Sequence, residues 1–216
     1  MANQNLELLI VAAKLLRPVL PDLVFVGGCA TGLLVTDEAA AEVRPTFDVD
    51  AIAEITSYVE YTTFGERLHK LGFTEDSSEG APICRWQNGA IKLDLMPLDE
   101  DAATEFEIEP GLRVRLVTAP YFCATKLEAF RGRGKGDYLA SHDLEDLITV
   151  ADGRSDLLDE LRSAPDDVRS YIAGAIGQML KAPQFIDALP GYLLPDSASQ
   201  ARINQLLGRM TKMSKL

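Results

Sequence analysis

The chain has 216 residues, 47% of them hydrophobic and 25% charged, a composition that excludes a wholly disordered protein. Its 33 acidic and 21 basic side chains leave a formal charge of −12, which argues against a general nucleic-acid coat because phosphate binding needs a cationic surface. Three cysteines without CxxC spacing (Cys29, Cys84, Cys123) and only two histidines argue against a disulfide scaffold and a structural zinc site.

In the N-terminal stretch MANQNLELLIVAAKLL, Glu7 and Lys14 interrupt the apolar run, and the stretch itself has neither a basic n-region nor a clean cleavage site. No segment approaches the roughly 20 apolar residues of a membrane span. The expectation is a soluble protein of the reducing cytoplasm, with no membrane partner. Leu6, Leu9, Ile10, Ala13 and Leu16 recur at helical spacing and predict a helix over 4–17, stopped by Pro18 and Pro21. Leu23–Val26 reads as a short strand ending in Gly27-Gly28, a tight turn into a helix over Cys29–Val35. The acidic, Ala-rich stretch 36–45 reads as a loop, Thr46–Glu54 as a strand and 57–71 as a helix. After the polar loop 75–80, Ile83–Gln87 and Ala90–Met96 flank Asn88-Gly89, a pair favoured in two-residue hairpin turns. Leu112–Val117 reads as another strand.

Beyond residue 117 the pattern becomes helical, with helices near 119–131, 142–152, 155–163, 166–181 and 197–211. Thr118, Ser141 and Ser155 are candidate caps, and Pro165, Pro183, Pro190 and Pro195 punctuate the run. The basic tail RMTKMSKL is expected to fray. Two domains follow from this shift: an α/β domain over 1–117 and a helical domain over 118–216 that closes the active-site cleft.

The sharpest chemical signal is Phe47-Asp48-Val49-Asp50. In a strand, residues two apart share a face, so the two carboxylates point one way and Phe47, Val49 and Ala51 the other. Like charges held together are costly unless a cation lies between them. In Ile91-Lys92-Leu93-Asp94-Leu95 the apolar residues alternate with Lys92 and Asp94, which puts Asp94 on the polar face of a central strand. Paired with 46–54, that strand would bring Asp94 about 5 Å from the Asp48/Asp50 row. A set of three carboxylates suits two Mg²⁺ ions and a reacting hydroxyl. The plainer reading of Asp-x-Asp is the wet face of a half-exposed sheet. Asp94 in a Leu-rich strand resists that reading, since a buried unpaired carboxylate is costly. Upstream, Gly27-Gly28 before a helix offers backbone amides to an anion, a candidate triphosphate cradle.

The glycine pair at 27–28, R-P-T-F-D-V-D at 44–50 and K-L-D-L at 92–95 together resemble the nucleotidyltransferase superfamily with the polymerase-β-like fold. Within it the chain is similar to the AbiEii/MenT-type toxin nucleotidyltransferases. T-A-P-Y-F-C-A-T-K-L-E-A-F-R at 118–131 resembles their Pro…Lys-Leu-x-Ala helix, and H-D-L-E-D-L at 142–147 their Asp-x-x-Asp-Leu helix. The resemblance covers about residues 23–150. It implies a mixed α/β sheet with flanking helices, followed by a C-terminal helical bundle. It also implies that Asp48 and Asp50 ligate Mg²⁺ (or Mn²⁺), and that Asp94 completes the metal site and helps deprotonate the acceptor. Gly27, Gly28 and the amides after them would hold the β and γ phosphates, and Lys126 would contact the nucleotide. Arg44 and Thr46 match a recurring Arg-x-Thr, and Asp143 and Asp146 an acidic motif that supports the nucleotide pocket. Relatives carry a small hydroxyl residue next to the glycines; here Gly28 and Cys29 stand there, and Thr31 follows.

The reaction implied is transfer of a nucleoside monophosphate from an NTP to an acceptor hydroxyl. The resemblance makes the acceptor the 3′ end of tRNA and the protein the toxin of a bacterial toxin–antitoxin or phage-defence system, with a cognate antitoxin as partner. A small-molecule or protein hydroxyl is the alternative acceptor, and a non-catalytic interaction module with the same fold the alternative class. The densest basic segment, Arg131-Gly132-Arg133-Gly134-Lys135-Gly136, reads equally as an anion-binding loop for triphosphate or RNA and as a solvated connection. Arg113 and Arg115, and the tail cations Arg202, Arg209, Lys212 and Lys215, could extend a basic surface.

Overall fold

A computed structural model of the chain describes residues 4–54, 58–78, 84–98, 103–134 and 136–216. These divide into two compact units: residues up to Gly32 with Pro45–Thr118, and Leu33–Arg44 with Ala119–Leu216.

The first unit is built on a sheet. Helix α1 (Gln4–Leu15) buries Leu9, Ala12 and Ala13, and a 3₁₀ turn over Arg17–Asp22 follows where the two prolines end it. Strand β1 (Leu23–Val26) is buried at every position and runs into α2 (Gly27–Leu34). Then come β2 (Val49–Glu54), α3 (Tyr58–Lys70), β3 (Thr74–Glu75), β4 (Arg85–Asn88), β5 (Ile91–Leu98), β6 (Ala103–Glu109) and β7 (Leu112–Val117). Among the described residues these seven strands form one mixed sheet in the order β3-β4-β5-β2-β1-β7-β6. β2 lies antiparallel to β1 and parallel to β5, near the middle, with Val49, Ala51 and Ala53 fully buried.

Three expectations need correction here. β2 begins at Val49, not Thr46, because side chains capture the preceding backbone: Thr46 N–H donates to Asn5 Oδ1 and Thr46 Oγ1 to Asp48 Oδ1, both at 2.9 Å. Phe47 therefore does not join Val49 and Ala51 on an apolar face; it is 84% exposed. The hairpin turn is Gly89-Ala90, one residue later than expected, with Asn88 paired to Ile91 and Gly89 at φ 58° in the first turn position. Strand β6, absent from the sequence reading, alternates Glu105, Glu107 and Glu109 with Phe106 and Ile108, the period of a half-exposed strand.

The second unit is helical: α4 (Ala119–Arg133), α5 (His142–Gly153), α6 (Leu157–Ser163), α7 (Asp166–Met179), α8 (Pro183–Ala188), α9 (Ser197–Ala201) and α10 (Ile203–Met213). Ser141 caps α5 by accepting from Leu144 N–H, as the sequence suggests. Ser155 caps nothing: α6 starts after Asp156, and Ser155 N–H donates instead to Thr36 Oγ1. The segment 33–44 packs on the end of α5, where Thr36 and Asp37 both donate to the Gly153 carbonyl. A Cβ at Gly153 would lie 2.7 Å from Val35 and 2.9 Å from Ala40, so glycine permits that approach. The tail does not fray through Met213, because α10 buries Leu206, Met210 and Met213. Among the described residues no helix is long and apolar enough to cross a membrane.

Candidate active site

In the sheet unit, backbone register does most of the assembly. Asp50 of β2 faces Asp94 of β5 as Cα partners, and Asp94 faces Arg85 of β4. Directly opposed residues on neighbouring strands share a face, so Asp50, Asp94 and Arg85 form one charged row across three strands about 5 Å apart. Gly27, at φ 68°, lies against the end of this row. A Cβ there would sit 1.8 Å from Asp50 Oδ2. Only glycine satisfies both the backbone and the carboxylate at that position.

Arg85 was not among the expected site residues, yet it organises them. Its Nε donates to Asp94 Oδ1 and its Nη2 to Asp94 Oδ2, both at 2.6 Å, a bidentate pair. Nη2 also donates to Asp48 Oδ2 at 2.9 Å. Asp94 is 9% exposed, so its charge needs such a partner. The hydrogen bonds to Asp94 are the largest reason the guanidinium is held even more firmly in its charged form than usual. Asp48 lies in the bend before β2, where Thr46 Oγ1 fixes its other oxygen. A second unforeseen residue is Asn5. Buried at the start of α1, it donates from Nδ2 to the Gly28 carbonyl and accepts from Thr46 N–H, tying the glycine turn to the loop that presents Asp48.

Whether these residues suit a divalent cation is a question of donor chemistry. Asp48, Asp50 and Asp94 offer only carboxylate oxygens, the donors that Mg²⁺ and Mn²⁺ prefer. The guanidinium across two of them shows that the row accommodates positive charge. Among the described residues, however, no three acidic, histidine or cysteine side chains stand ready as a metal cage. The donor set fits the ion by chemistry, with Arg85 engaged on two of its members.

In the helical unit, Lys126, Asp143, Asp146 and Arg44 come together. Lys126 of α4 is 7% exposed, and its Nζ lies 2.6 Å from Asp146 Oδ2 and 3.5 Å from Asp143 Oδ1. Asp143 and Asp146, three apart on α5, share a helix face. Arg44 Nη2 reaches Asp146 Oδ2 at 3.1 Å, and Arg133 makes a bidentate pair with Asp143 at 2.8 Å. Burial opposes the charge on Asp143, but the Arg133 hydrogen bonds and the Lys126 ammonium outweigh it and hold the carboxyl below its ordinary range.

The remaining candidates separate. Thr31 is fully buried and its hydroxyl points back to the Gly27 carbonyl at 3.5 Å, so it presents no oxygen to a ligand. Arg131 pairs with Glu128 on its own helix, and Lys135 lies outside the described residues. Arg113 and Arg115 face Glu107 and Glu105 across the β6–β7 ladder, which balances their charge. Arg202 binds Asp37 and Asp152, while Arg209 donates to the carbonyls of Ala151, Asp152 and Arg154 at the end of α5. Two of the four tail cations thus close a helix terminus rather than extend a basic surface.

The mixed sheet with its flanking helices is the α/β fold of nucleotidyltransferase-like proteins. The chain superposes on an antigenic nucleotidyltransferase-like protein from Paracoccidioides brasiliensis with a TM-score of 0.53 at 19% identity, covering 88% of this chain and 94% of that one. A candidate nucleotidyltransferase from H. pylori matches with a TM-score of 0.54 at 13% identity, covering 100% of this chain and 96% of its own. No protein-family model matches the sequence, and no curated protein does.

Proposed function

We propose that the protein is a metal-dependent nucleotidyltransferase. The observation that carries this reading is the in-register pairing of Asp50 with Asp94, flanked by Asp48, on a fold shared with nucleotidyltransferase-like proteins. In the reaction, an acceptor hydroxyl oxygen attacks the α-phosphorus of an NTP. The bond from that phosphorus to the bridging oxygen breaks, and pyrophosphate leaves. Asp94 takes the hydroxyl proton. Asp48 and Asp50, completed by Asp94, would hold Mg²⁺ or Mn²⁺, which when bound neutralises the triphosphate and polarises the attacked phosphorus. Gly27 and Gly28 let the backbone at the start of α2 approach the β and γ phosphates, where helix amides lack partners. Lys126, held by Asp143 and Asp146, would contact the nucleotide, as would Arg44, while Thr46 braces Asp48.

The acceptor in this proposal is the 3′ end of tRNA, and the setting a cytoplasmic toxin with a cognate antitoxin; both rest on the sequence resemblance. A second reading, transfer to a small-molecule or protein hydroxyl, is favoured by one feature. Arg113, Arg131, Arg133 and Arg202 are each engaged by a carboxylate of the same unit, which leaves less free cationic surface for RNA. The test incubates the protein with each of four α-labelled NTPs, Mg²⁺ and total bacterial tRNA, with Asp48→Ala as control. Label in tRNA from the unsubstituted protein alone establishes the reaction and names the base. NTP binding without labelled RNA moves the acceptor to the second reading. Neither label nor NTP binding leaves the non-catalytic module.

A further inference from the structure

Asp48 and Asp94 already have their oxygens occupied by the protein's own donors. Asp94 gives both to Arg85, and Asp48 gives one to Arg85 and one to Thr46. A cation that uses these oxygens must therefore take them from a guanidinium. We infer that Arg85 is a built-in competitor of the divalent cation, a positioning residue that holds the carboxylates in place until the ion exchanges with it. This deepens the nucleotidyltransferase reading and rests on it.

The geometry supports exchange rather than permanent pairing. The two links are unequal. Arg85 grips Asp94 twice at 2.6 Å in a buried setting, but reaches Asp48 once at 2.9 Å, where the Asp48 side chain is 34% exposed. The weaker, wetter contact is the one an incoming ion meets first, so exchange begins at Asp48. A single positive charge shared over two carboxylates leaves negative charge behind, which a divalent ion neutralises more fully. The arrangement also answers a folding problem. Two carboxylates brought together, one of them buried, repel one another, and Arg85 holds Asp48 and Asp94 in place at low metal concentration. Backbone register fixes the contest, since Arg85 and Asp94 are direct partners on β4 and β5 and cannot avoid each other while the hairpin is formed.

The test measures Mn²⁺ affinity of the full chain from the electron paramagnetic resonance signal of free Mn²⁺, without nucleotide. It compares the unsubstituted protein with Arg85→Gln, Arg85→Lys and Asp94→Asn. Thermal melts by circular dichroism accompany each, and Arg85→Lys serves if Arg85→Gln does not fold. The expected result is at least tenfold tighter Mn²⁺ binding by Arg85→Gln, a smaller gain for Arg85→Lys, and a lower melting temperature for Arg85→Gln that Mn²⁺ restores. Equal or weaker binding by the folded Arg85 variants, with Mn²⁺ still bound by the unsubstituted protein and lost in Asp94→Asn, overturns the competition and leaves the nucleotidyltransferase reading intact. No Mn²⁺ binding by any of these proteins overturns both.

Discussion

Oδ2 of Asp50 lies where a side chain on Gly27 would begin, 1.8 Å from the position of its Cβ. Gly27→Ala must therefore displace the Asp50 carboxylate and also hold alanine at φ 68°, a conformation that costs an L-residue about 1–2 kcal/mol. The expected result is a melting temperature lowered by more than the roughly 2–8 °C of the backbone cost alone, with loss of nucleotide binding. Gly89→Ala carries the positive φ without a close neighbour, and so should show the backbone cost alone. Differential scanning calorimetry of the two variants separates backbone strain from the clash. Equal losses of stability and unchanged nucleotide binding in Gly27→Ala would remove the carboxylate from the explanation.

Lys126→Met should leave Asp146, 1% exposed, with Arg44 as its remaining cationic partner among the described residues. Removing one member of a buried ion pair costs about 3–5 kcal/mol, and the retained arginines place this case near the lower end. The double substitution Lys126→Met/Asp146→Asn should recover much of the stability without recovering nucleotidyl transfer. Urea unfolding beside the transfer assay reads both. Recovery of activity in the double variant would make the pair purely structural.

Acid should unfold the helical unit earlier once Arg133 is gone. Asp143 has a lower pKa folded than unfolded, so its contribution is fully present above the unfolded value near 3.9 and is lost as pH falls through the folded value. Stability from this group is thus flat at neutral pH and declines only below about pH 4–5. Arg133→Ala leaves burial less opposed, raises the folded pKa and moves the acid transition to higher pH. Circular dichroism from pH 6 to pH 2 tests this, and coincident transitions would count against it.

Burial pushes the Cys123 thiol up to about 12. At pH 8 only about one molecule in ten thousand would carry the thiolate there. The native protein should therefore leave Cys123 unlabelled by a thiol reagent, while guanidinium-unfolded protein takes label at Cys29, Cys84 and Cys123. Peptide mass mapping after brief labelling checks it, and rapid native labelling of Cys123 would show that α4 opens.

How far the sequence discloses this arrangement depends on the residue. Asp50 and Asp94 were readable because each sits in a strand whose apolar neighbours alternate, and the pleat turns alternation into facing. Arg85 was hidden by a single residue of hairpin register. With the turn at Asn88-Gly89, Arg85 would face Lys92; with the turn at Gly89-Ala90 it faces Asp94. A slip of one changes every partner across a hairpin. Asn5 carries no pattern at all, since its bonds to Gly28 and Thr46 reach residues 23 and 41 positions away. The buried pairing of Lys126 was likewise invisible to helical periodicity, which assigns a lysine to solvent; only the motif it belongs to marked it. Helix α8 had a readable signal in Pro183 at its first position, a place where proline is favoured, but proline also reads as a break.

The two ends of the sheet carry a consequence of their own. β3 contributes only Thr74 and Glu75 to one margin, and β6 lines the other with Glu105, Glu107 and Glu109. A second copy adding its strand to β6 would set glutamate against glutamate, and β3 is too short to template anything. The sheet is therefore guarded against strand addition by glutamates at one rim and by brevity at the other.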